Sequence, residues 1–440
     1  KCDYGDNEYQ LYDRETDIWK RDMTEETKVG SIIASYCNSY DEINKCMVLT
    51  SELPDYEDRL FGFVSEGINA VQEIADVYVS DNLKKINVVS APSASVGVSL
   101  AGDLLELKIN SNTMPLDMLA EILSKYNRKK KYFRLKNGDF VRTGDGSFDD
   151  MVQMTRSLQL TAKQIKEGSA VIPKYRALFI DSQMKESISV KTDKDKNFKA
   201  LIRNMKTIED NDYDIPRELD GVLRSYQKYG FMWIKTLCHN GFGGILADDM
   251  GLGKTLQIIA FLKSEYAENE SGEKRSIIIC PASLVYNWKY EIDRFAPELP
   301  VKMVIGNADN RKMVINNMEE RVIIVTSYDL LRRDIDLYEN IHFFCQVIDE
   351  AQYIKNHNTQ SSRAVKAVKS GFRMALTGTP VENRLSELHS IFDYLMPGFL
   401  YSYKRFREEL EVPIVTEGDE YAMERLRKMI NPFVLRRLKK

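Results

Sequence analysis

The architecture of this 440-residue chain can be worked out from one segment, Asp248-Asp249-Met250-Gly251-Leu252-Gly253-Lys254-Thr255. A short apolar run, Gly244-Ile245-Leu246-Ala247, precedes this segment and is typical of a buried strand. Beyond it, apolar side chains recur at helical spacing, at Leu256, Ile259, Leu262 and Tyr266. A strand, a glycine-containing turn and Lys-Thr at the start of a helix are the parts of a phosphate-binding P-loop.

Each part of this segment has a physical role in holding phosphate. Glycine lets the backbone turn close to an anion, and the following helix offers free N–H groups and the positive end of its dipole. Lys254 is expected to reach the β- and γ-phosphates, and the Thr255 hydroxyl is expected to hold Mg²⁺. The literal pattern begins with Gly, whereas this chain has Asp248 there. A glycine-containing turn without a ligand is the disfavoured alternative, because strand and helix fall where the motif requires them.

The composition is that of a globular protein rather than a dedicated nucleic-acid module. With 43% hydrophobic and 29% charged residues, 440 residues are enough for two or three domains. The net charge of −4 restricts any nucleic-acid site to a local groove. No apolar run is long enough to cross a bilayer, so no membrane partner is expected. The chain opens on Lys1, without an initiator Met or a signal-peptide pattern, and we expect it to be an excised fragment.

The six cysteines give no sign of a zinc site. They contain no C-x-x-C pair, and the four histidines lie apart from them. Cys280 and Cys345 lie in apolar runs, so we expect buried free thiols, which suits the cytoplasm.

Residues 1–215 are predicted to form an α+β accessory domain. Apolar alternation predicts strands at Val29–Tyr36 and Cys46–Leu49, and turn residues predict hairpins around Ala101-Gly102-Asp103 and Lys136-Asn137-Gly138-Asp139. Helical spacing predicts helices at Pro115–Tyr126, Met151–Leu160 and Phe198–Ile208.

Two polar stretches lie towards the end of this region. Lys191–Lys199 mixes Lys and Asp without apolar periodicity and is predicted to be a loop. Glu209–Pro216 is predicted to mark the domain boundary.

Residues 216–440 are predicted to form an α/β domain of the P-loop class. Apolar strands alternate with helices, and the predicted strands are Gly244–Ala247, Ser276–Cys280, Val301–Ile305, Val322–Thr326, Phe343–Ile348 and Met374–Leu376. This alternation predicts a parallel, doubly wound sheet with ligands at the carboxyl ends of its strands.

An adjacent pair of carboxylates, Asp349 and Glu350, follows the apolar run Phe343–Ile348. In a P-loop enzyme, an Asp holds Mg²⁺ and a second group orients the attacking water. Since side chains alternate along a strand, adjacent residues point differently and can take separate roles. We assign Asp349 to the metal and Glu350 to the water, which makes Lys254, Asp349 and Glu350 the predicted catalytic set.

The turn Thr377-Gly378-Thr379-Pro380 follows the predicted strand Met374–Leu376. Its two hydroxyls could relay between the nucleotide and a second ligand. Alternatively, it is an ordinary Gly-Pro turn that caps the next helix. The residues alone favour neither interpretation.

Several segments of the second half, taken in order, resemble the motifs of one ATPase family. They are a glutamine motif at Leu223–Trp233, motif I at Asp248–Thr255, motif Ia at Cys280–Trp288, motif Ib at Thr326–Tyr328, motif II at Asp349–Gln352, motif III with its extension at Leu376–Leu388, and a closing segment at Pro432–Arg437. From about Leu219 to Lys440, the chain therefore resembles the first RecA-like lobe of a Swi/Snf-type DNA-translocating ATPase, in the helicase-like superfamily. Asp is the usual first residue of motif I in that family. Val96–Phe140 resembles, less specifically, the accessory domain that precedes the ATPase in many bacterial members.

The resemblance implies ATP and Mg²⁺ as cofactors and double-stranded DNA as a partner. Gln227 is expected to recognise adenine, and Thr255 and Asp349 are expected to hold Mg²⁺. The other nucleotide-binding residues that it implies are Arg224, Asp249, Met250, Gly251, Leu252, Gly253, Lys254 and Leu256. Motifs Ia, Ib and III imply contacts with the DNA backbone through Pro281, Ser283, Asn287, Trp288, Thr326, Ser327, Tyr328, Thr377, Gly378 and Thr379.

Three departures from the family pattern limit what the resemblance implies. Ser225 stands where the family usually has Pro, and Gln352 stands where His is common, at a position that bears on how hydrolysis is coupled to DNA. The chain ends at Lys440, after lobe one, whereas the family's second lobe carries arginine fingers, which are worth about 10³–10⁵ in rate. We therefore expect this fragment to bind nucleotide weakly and to hydrolyse it very slowly.

The favoured hypothesis is an ATP-dependent translocase that moves along double-stranded DNA and remodels or displaces bound proteins, in the cytoplasm on the nucleoid. The residues of motifs I and III match those of the translocases better than those of the strand-separating helicases. As an alternative, residues 1–215 act mainly as a docking module, on RNA polymerase or another DNA-bound protein, or as an autoinhibitory module over lobe one. The sequence gives no physical ground to choose between docking and autoinhibition.

Overall fold

The structure of the chain, a computed structural model, describes residues 2–3, 7–9, 17–44, 46–90, 93–126, 130–143, 147–158, 160–186, 190–268, 272–356, 359–378 and 385–439. The chain forms two compact units. The first consists of Lys1–Val96, Lys108–Ala170 and Ser187–Thr192. The second consists of Gly97–Leu107, Val171–Glu186 and Asp193–Lys440.

The first unit mixes short helices and strands, as the predicted α+β arrangement requires. Its helices are Met23–Tyr36, Tyr56–Gly62, Phe63–Gly67, Ile68–Gln72, Asp81–Lys84, Leu116–Lys125, Ser147–Leu158 and Ala162–Glu167. Strand Cys2–Asp3 pairs with Glu8–Tyr9, and Ser39–Asp41 pairs with Cys46–Val48. A three-stranded sheet has the order Val88–Val89, Phe140–Arg142, Tyr132–Arg134.

One predicted strand of this unit is wrong, because Val29–Tyr36 lies in the helix Met23–Tyr36. The Asp22 carboxylate begins that helix by accepting hydrogen bonds from the backbone N–H groups of Thr24 and Glu25. The apolar residues of the segment fit a helical face as well as they fit alternation, and the cap decides between the two.

Both predicted hairpins are confirmed. The first joins Ala94–Ala101 to Leu104–Ser111 through Gly102, and it forms the centre of a four-stranded sheet whose outer strands are Ser169–Pro173 and Val190–Lys194. The second joins Tyr132–Arg134 to Phe140–Arg142, with Phe133 opposite Val141. Gly138 in its turn has φ 97°, a left-handed conformation that glycine adopts without strain.

The predicted loop Lys191–Lys199 is also wrong, since a strand ends at Lys194 and the helix Lys196–Lys206 begins two residues later. Asp195 caps this helix, because its carboxylate accepts a 2.7 Å hydrogen bond from the backbone N–H of Phe198. The apolar face of the helix is buried, and it consists of Phe198, Leu201, Ile202 and Met205.

A buried carboxylate helps to hold this part of the second unit together. Asp181, on the helix Ala177–Glu186, is 3% exposed and accepts hydrogen bonds from Nζ of Lys194 and Lys206, at 2.8 and 2.5 Å. Burial alone raises the pKa of Asp181, but the two ammonium groups outweigh it and lower that pKa to about 2. Asp181 therefore stays charged at neutral pH.

Seven parallel strands form the main sheet of the second unit. In chain order they are β1 (Gly244–Leu246), β2 (Lys274–Cys280), β3 (Val301–Met303), β4 (Arg321–Ser327), β5 (His342–Ile348), β6 (Lys369–Leu376) and β7 (Val434–Leu435). Across the sheet they are ordered β3-β4-β2-β5-β6-β1-β7, and each neighbouring pair is parallel. The predicted sheet is confirmed, and β7 is an edge strand that the pattern did not predict.

Helices connect these strands, as crossovers between parallel strands require. The helices of the unit are Ala177–Glu186, Lys196–Lys206, Arg217–Asp220, Ser225–His239, Lys254–Glu268, Val285–Phe295, Ala308–Asn316, Tyr328–Arg333, Gln360–Ala367, Leu385–Leu395, Tyr403–Phe406, Arg407–Glu411, Pro413–Glu417 and Glu420–Ile430. The central strands β2, β4 and β5 are buried along most of their length, which explains their continuous apolar runs.

Two cysteines lie in this core, as predicted. Cys280 and Cys345 are buried free thiols, and burial raises the pKa of Cys280 to about 12. Among the helices of the described residues, none has the length and apolarity that crossing a bilayer requires.

Candidate nucleotide-binding site

The P-loop lies between β1 and the helix Lys254–Glu268, as predicted. Gly251 and Gly253 have φ values of 85° and 74°, which side-chain-bearing residues rarely adopt. A Cβ at Gly253 would lie 2.3 Å from Nε2 of Gln227, so a larger residue would displace the Gln227 side chain in addition to straining the backbone. The loop therefore brings its backbone close to any group that it holds.

The start of the following helix fits a phosphate group. Its first intrahelical hydrogen bond runs from the N–H of Gln257 to the carbonyl of Gly253, so the N–H groups of Lys254, Thr255 and Leu256 point out of the helix end. Nζ of Lys254 lies over the loop, 2.7 Å from the carbonyl oxygen of Asp248 and 3.5 Å from that of Asp249. This set of amides and one ammonium group is what a polyphosphate requires.

Gln227 lies directly against the loop. It is 6% exposed, and its Nε2 donates a 3.1 Å hydrogen bond to the carbonyl of Leu252. Its Oε1 accepts a hydrogen bond from the backbone N–H of Arg224, at the start of the helix Ser225–His239. The Tyr226 hydroxyl donates to the same Leu252 carbonyl at 3.1 Å. The glutamine motif therefore supports the backbone of the P-loop.

The other residues that the resemblance places around the nucleotide lie at or near the loop surface. Met250 is 67% exposed, and Arg224 is exposed at the N-cap of its helix. Asp249 and Leu256 are half-buried. Met250 lies close to Gly378, since a Cβ built on Gly378 would be 3.1 Å from Cγ of Met250. Gly378, two residues after β6, therefore lies beside the P-loop.

Asp349 follows β5 and is 8% exposed. Its Oδ2 accepts a 2.9 Å hydrogen bond from Nε1 of Trp288, and its Oδ1 accepts one from the backbone N–H of Glu350. Its carbonyl oxygen accepts a 2.7 Å hydrogen bond from the Tyr328 hydroxyl. Burial raises the pKa of Asp349, while the Trp288 hydrogen bond and the positive charge of Lys254 oppose that rise. Asp349 is thus held in one orientation, within electrostatic reach of Lys254.

Glu350 has a strained backbone, with φ 53° and ψ 60°. A left-handed conformation in a residue other than glycine costs on the order of 1–3 kcal/mol and occurs often at functional sites. Nε2 of Gln352 donates a 2.7 Å hydrogen bond to Oε2 of Glu350, and the Thr377 hydroxyl donates to Oε1 of Gln352 at 3.3 Å. Thr377, directly after β6, is therefore linked through Gln352 to the carboxylate pair after β5.

The predicted DNA-contact residues fall into two groups. Ser283 and Asn287 are exposed, and Pro281 and Gly378 are partly exposed. The others in the described residues are buried, and these are Trp288, Thr326, Ser327, Tyr328 and Thr377. Their polar atoms face inwards, as the hydrogen bonds of Trp288 and Tyr328 to Asp349 show. Thr379 lies outside the described residues.

Two residues of the site make contacts that the sequence did not predict. Trp288 was expected at DNA, but it holds Asp349 across 61 residues of sequence. The sequence assigned Arg437 to the closing segment without a contact of its own. In the structure, its guanidinium donates to the carboxylate of Asp248. The sequence did contain a signal for the contact between Arg437 and Asp248, because an Asp at the end of a buried strand needs a cation.

Two family models match the chain in succession. Residues 226–440 match the SNF2-related domain, and residues 1–216 match the bacterial SNF2 helicase-associated domain. The two models meet between residues 216 and 226.

Similar proteins carry related names. An uncharacterized ATP-dependent helicase of Mycoplasma pneumoniae is 33% identical over 83% of this chain and 35% of its own length. The putative ATP-dependent helicase/translocase YwqA of Bacillus subtilis is 38% identical over 57% of this chain and 27% of its own length. A solved SWI2/SNF2 ATPase core of Sulfolobus solfataricus, in complex with dsDNA, is 42% identical, covers 52% of this chain and 46% of that chain, and has a TM-score of 0.46.

The chain spans about a third or less of the length of the two helicases. Its second half has the P-loop, the parallel sheet and the adjacent carboxylates of a RecA-like ATPase domain. Since an SNF2-related domain model and a bacterial SNF2 helicase-associated domain model together match nearly the whole chain, the chain belongs to the SNF2 family.

Proposed function

We propose that this chain is part of an ATP-dependent translocase that moves along double-stranded DNA and remodels or displaces bound proteins. Residues 216–440 form its first RecA-like ATPase lobe, and residues 1–215 form its accessory domain. The observation that supports this proposal best is the convergence of two elements at one end of the sheet. The P-loop follows β1 and the pair Asp349-Glu350 follows β5, with only β6 between these strands.

The residues of this site have separate roles in the proposal. The loop amides and Lys254 hold the phosphates of ATP, while Thr255 and Asp349 hold Mg²⁺. Bound ATP and Mg²⁺ supply an activated γ-phosphoryl group. Glu350 orients the attacking water, and the Gln352 hydrogen bond fixes its carboxylate for that task. Gln227 supports the loop and recognises adenine. In the proposed mechanism, arginine fingers of a second lobe complete the site in the whole enzyme.

The proposed DNA contacts are restricted by burial. Direct contact with the DNA backbone is proposed for Pro281, Ser283 and Asn287, which border the exposed start of the helix Val285–Phe295. The buried Trp288 and Tyr328 support Asp349 from the same region. Since the chain has a net charge of −4, this contact depends on local geometry.

ATP hydrolysis by the full-length protein tests the proposal. With purified protein, we expect double-stranded DNA to stimulate turnover more strongly than single-stranded DNA or RNA of equal length. Stimulation should fall steeply between about 50 and 200 mM salt, because binding to phosphates releases counterions. Stimulation by RNA alone would contradict the translocase proposal.

Replacing Trp288 with Phe keeps the buried ring but removes the hydrogen bond to Asp349. We expect turnover to fall by about tenfold and the half-saturating Mg²⁺ concentration to rise, as for other groups that orient a metal ligand. Trp233→Phe is the matched control, since the Trp233 indole is also buried and donates to the carbonyl of Pro432. Equal effects of the two substitutions on Mg²⁺ dependence would contradict the positioning role of Trp288.

The accessory domain is proposed to dock on RNA polymerase or another DNA-bound protein, which would place the protein on the nucleoid in the cytoplasm. Large apolar side chains on the first unit support docking, since Trp19, Ile43 and Tyr78 are 83%, 93% and 92% exposed. Exposed aromatic residues are typical anchors of protein interfaces. Retention of purified RNA polymerase by the immobilised chain, and its loss on Trp19→Ala, is the test. Undiminished retention by the variant would exclude Trp19 as an anchor of this docking.

A further inference from the structure

The first residue of the P-loop is a buried charge with one cationic partner. Asp248 is fully buried, and the Arg437 guanidinium meets its carboxylate with two parallel hydrogen bonds, Nε to Oδ1 at 2.8 Å and Nη2 to Oδ2. Gln257 joins the pair, because its Nε2 donates to Oδ2 of Asp248 and its Oε1 accepts from Nη2 of Arg437 at 2.7 Å. A buried carboxylate with these three hydrogen bonds is well compensated.

Arg437 also contacts the glutamine motif through its third guanidinium nitrogen. Its Nη1 donates to the carbonyl of Tyr226, and its guanidinium lies 5.0 Å from the centre of the Tyr226 ring. Gly230, one turn further along the same helix, leaves the space that the cluster occupies. A Cβ at Gly230 would lie 1.8 Å from Oε1 of Gln257 and 3.0 Å from Nη2 of Arg437. The glutamine motif, the P-loop and the closing segment thus meet at one guanidinium.

The backbone of residues 434–439 runs beside β1 and the start of the P-loop, and it forms hydrogen bonds with both. Strand β7 pairs with β1, with Val434 opposite Ile245 and Leu435 opposite Leu246. The pairing continues into the loop, because the N–H of Asp249 donates to the carbonyl of Arg437 at 3.0 Å. The N–H of Lys439 then donates to Oδ2 of Asp249 at 2.9 Å. Both aspartates that open the P-loop are therefore held by residues 434–439.

We propose that Arg437 is a positioning residue of the nucleotide site, and that it couples nucleotide binding at the P-loop to the placement of residues 434–439. The inference rests on the proposed binding of ATP at this loop. Arg437 touches no phosphate in this role, and it acts by fixing Asp248, the residue at which the loop leaves β1. Because coupling between two sites is reciprocal, nucleotide must stabilise the closing segment as much as that segment stabilises the loop.

Binding of a fluorescent ATP analogue with Mg²⁺ to the whole 440-residue chain tests whether Arg437 positions the nucleotide site. Arg437→Met leaves the Asp248 charge buried without its partner, so we expect affinity to fall by about tenfold or more. Arg437→Lys is expected to restore only part of it, since an ammonium group lacks the planar fork. The double variant Asp248→Asn/Arg437→Met should bind better than Arg437→Met alone. Arg294→Met, which changes an exposed arginine in the last turn of the helix Val285–Phe295, is the control.

Amide hydrogen exchange, measured in the unaltered chain and in Arg437→Met, tests the coupling to residues 434–439. We expect the analogue to slow exchange at residues 434–439 as well as at the loop, and Arg437→Met to abolish the effect at 434–439. Unchanged exchange of this segment on binding, or wild-type affinity of the Arg437→Met variant, would overturn the inference. Loss of binding by Lys254→Ala at the same time would leave the proposed function standing, whereas wild-type binding by that variant would refute the function itself.

Discussion

Replacing Lys254 with Ala is expected to lower the affinity of the protein for ATP by about a hundredfold or more, and to abolish measurable turnover. Nζ of Lys254 lies above the loop, on the carbonyl oxygens of Asp248 and Asp249. It can exchange these neutral acceptors for charged phosphate oxygens, and hydrogen bonds to charged groups are worth roughly 1.5–3 kcal/mol each. Equilibrium titration with a fluorescent ATP analogue measures the loss.

The fold should tolerate this substitution, because the two hydrogen bonds that disappear are made to backbone oxygens at a partly exposed position. A matched control is Lys302→Ala, which removes an exposed lysine that is paired with Glu319 near the opposite edge of the sheet. The control should bind the analogue like the unaltered protein. Wild-type affinity in Lys254→Ala, with a wild-type melting temperature, would refute the P-loop assignment.

The sequence predicted the parts of this site that depend on local pattern. A strand, two glycines and Lys-Thr can be recognised within a dozen residues, since each has a local conformational reason. The carboxylate pair was predictable because the buried strand before it is a continuous apolar run. Strand β7 was not, because Val434–Leu435 is too short to give a period, and its pairing partner lies far away in the chain.

The Trp288 contact with Asp349 and the strained backbone of Glu350 could not be predicted, for a related reason. Whether the Trp288 indole faces DNA or Asp349 depends on how the helix Val285–Phe295 packs against the strands, which a motif cannot specify. The left-handed backbone of Glu350 has no sequence signal at all, because strain of this kind is maintained by the surrounding structure. The motifs therefore predict which groups react, and the structure shows which residues hold those groups in place.

Replacing Glu350 with Gln is expected to separate binding from hydrolysis. Gln has the same shape, and its side-chain oxygen can still accept the hydrogen bond from Nε2 of Gln352, so the backbone strain and local packing are retained. ATP affinity should therefore remain within about threefold of the wild type, whereas removal of a general base lowers turnover by about 10²–10⁴-fold. Single-turnover hydrolysis in the DNA-stimulated full-length protein measures the effect.

Glu319→Gln is the control for this change, because Glu319 is exposed and pairs with Lys302 away from the carboxylates.

A second comparison, Gln352→Ala, separates orientation from chemistry. It leaves the Glu350 carboxylate in place but removes both the hydrogen bond that fixes it and the link to Thr377. Turnover should then fall by less than in Glu350→Gln, with a larger loss under DNA stimulation than without DNA. Persistent hydrolysis in Glu350→Gln would show that a group other than Glu350 activates the water, since the amide of Gln cannot accept a proton from that water.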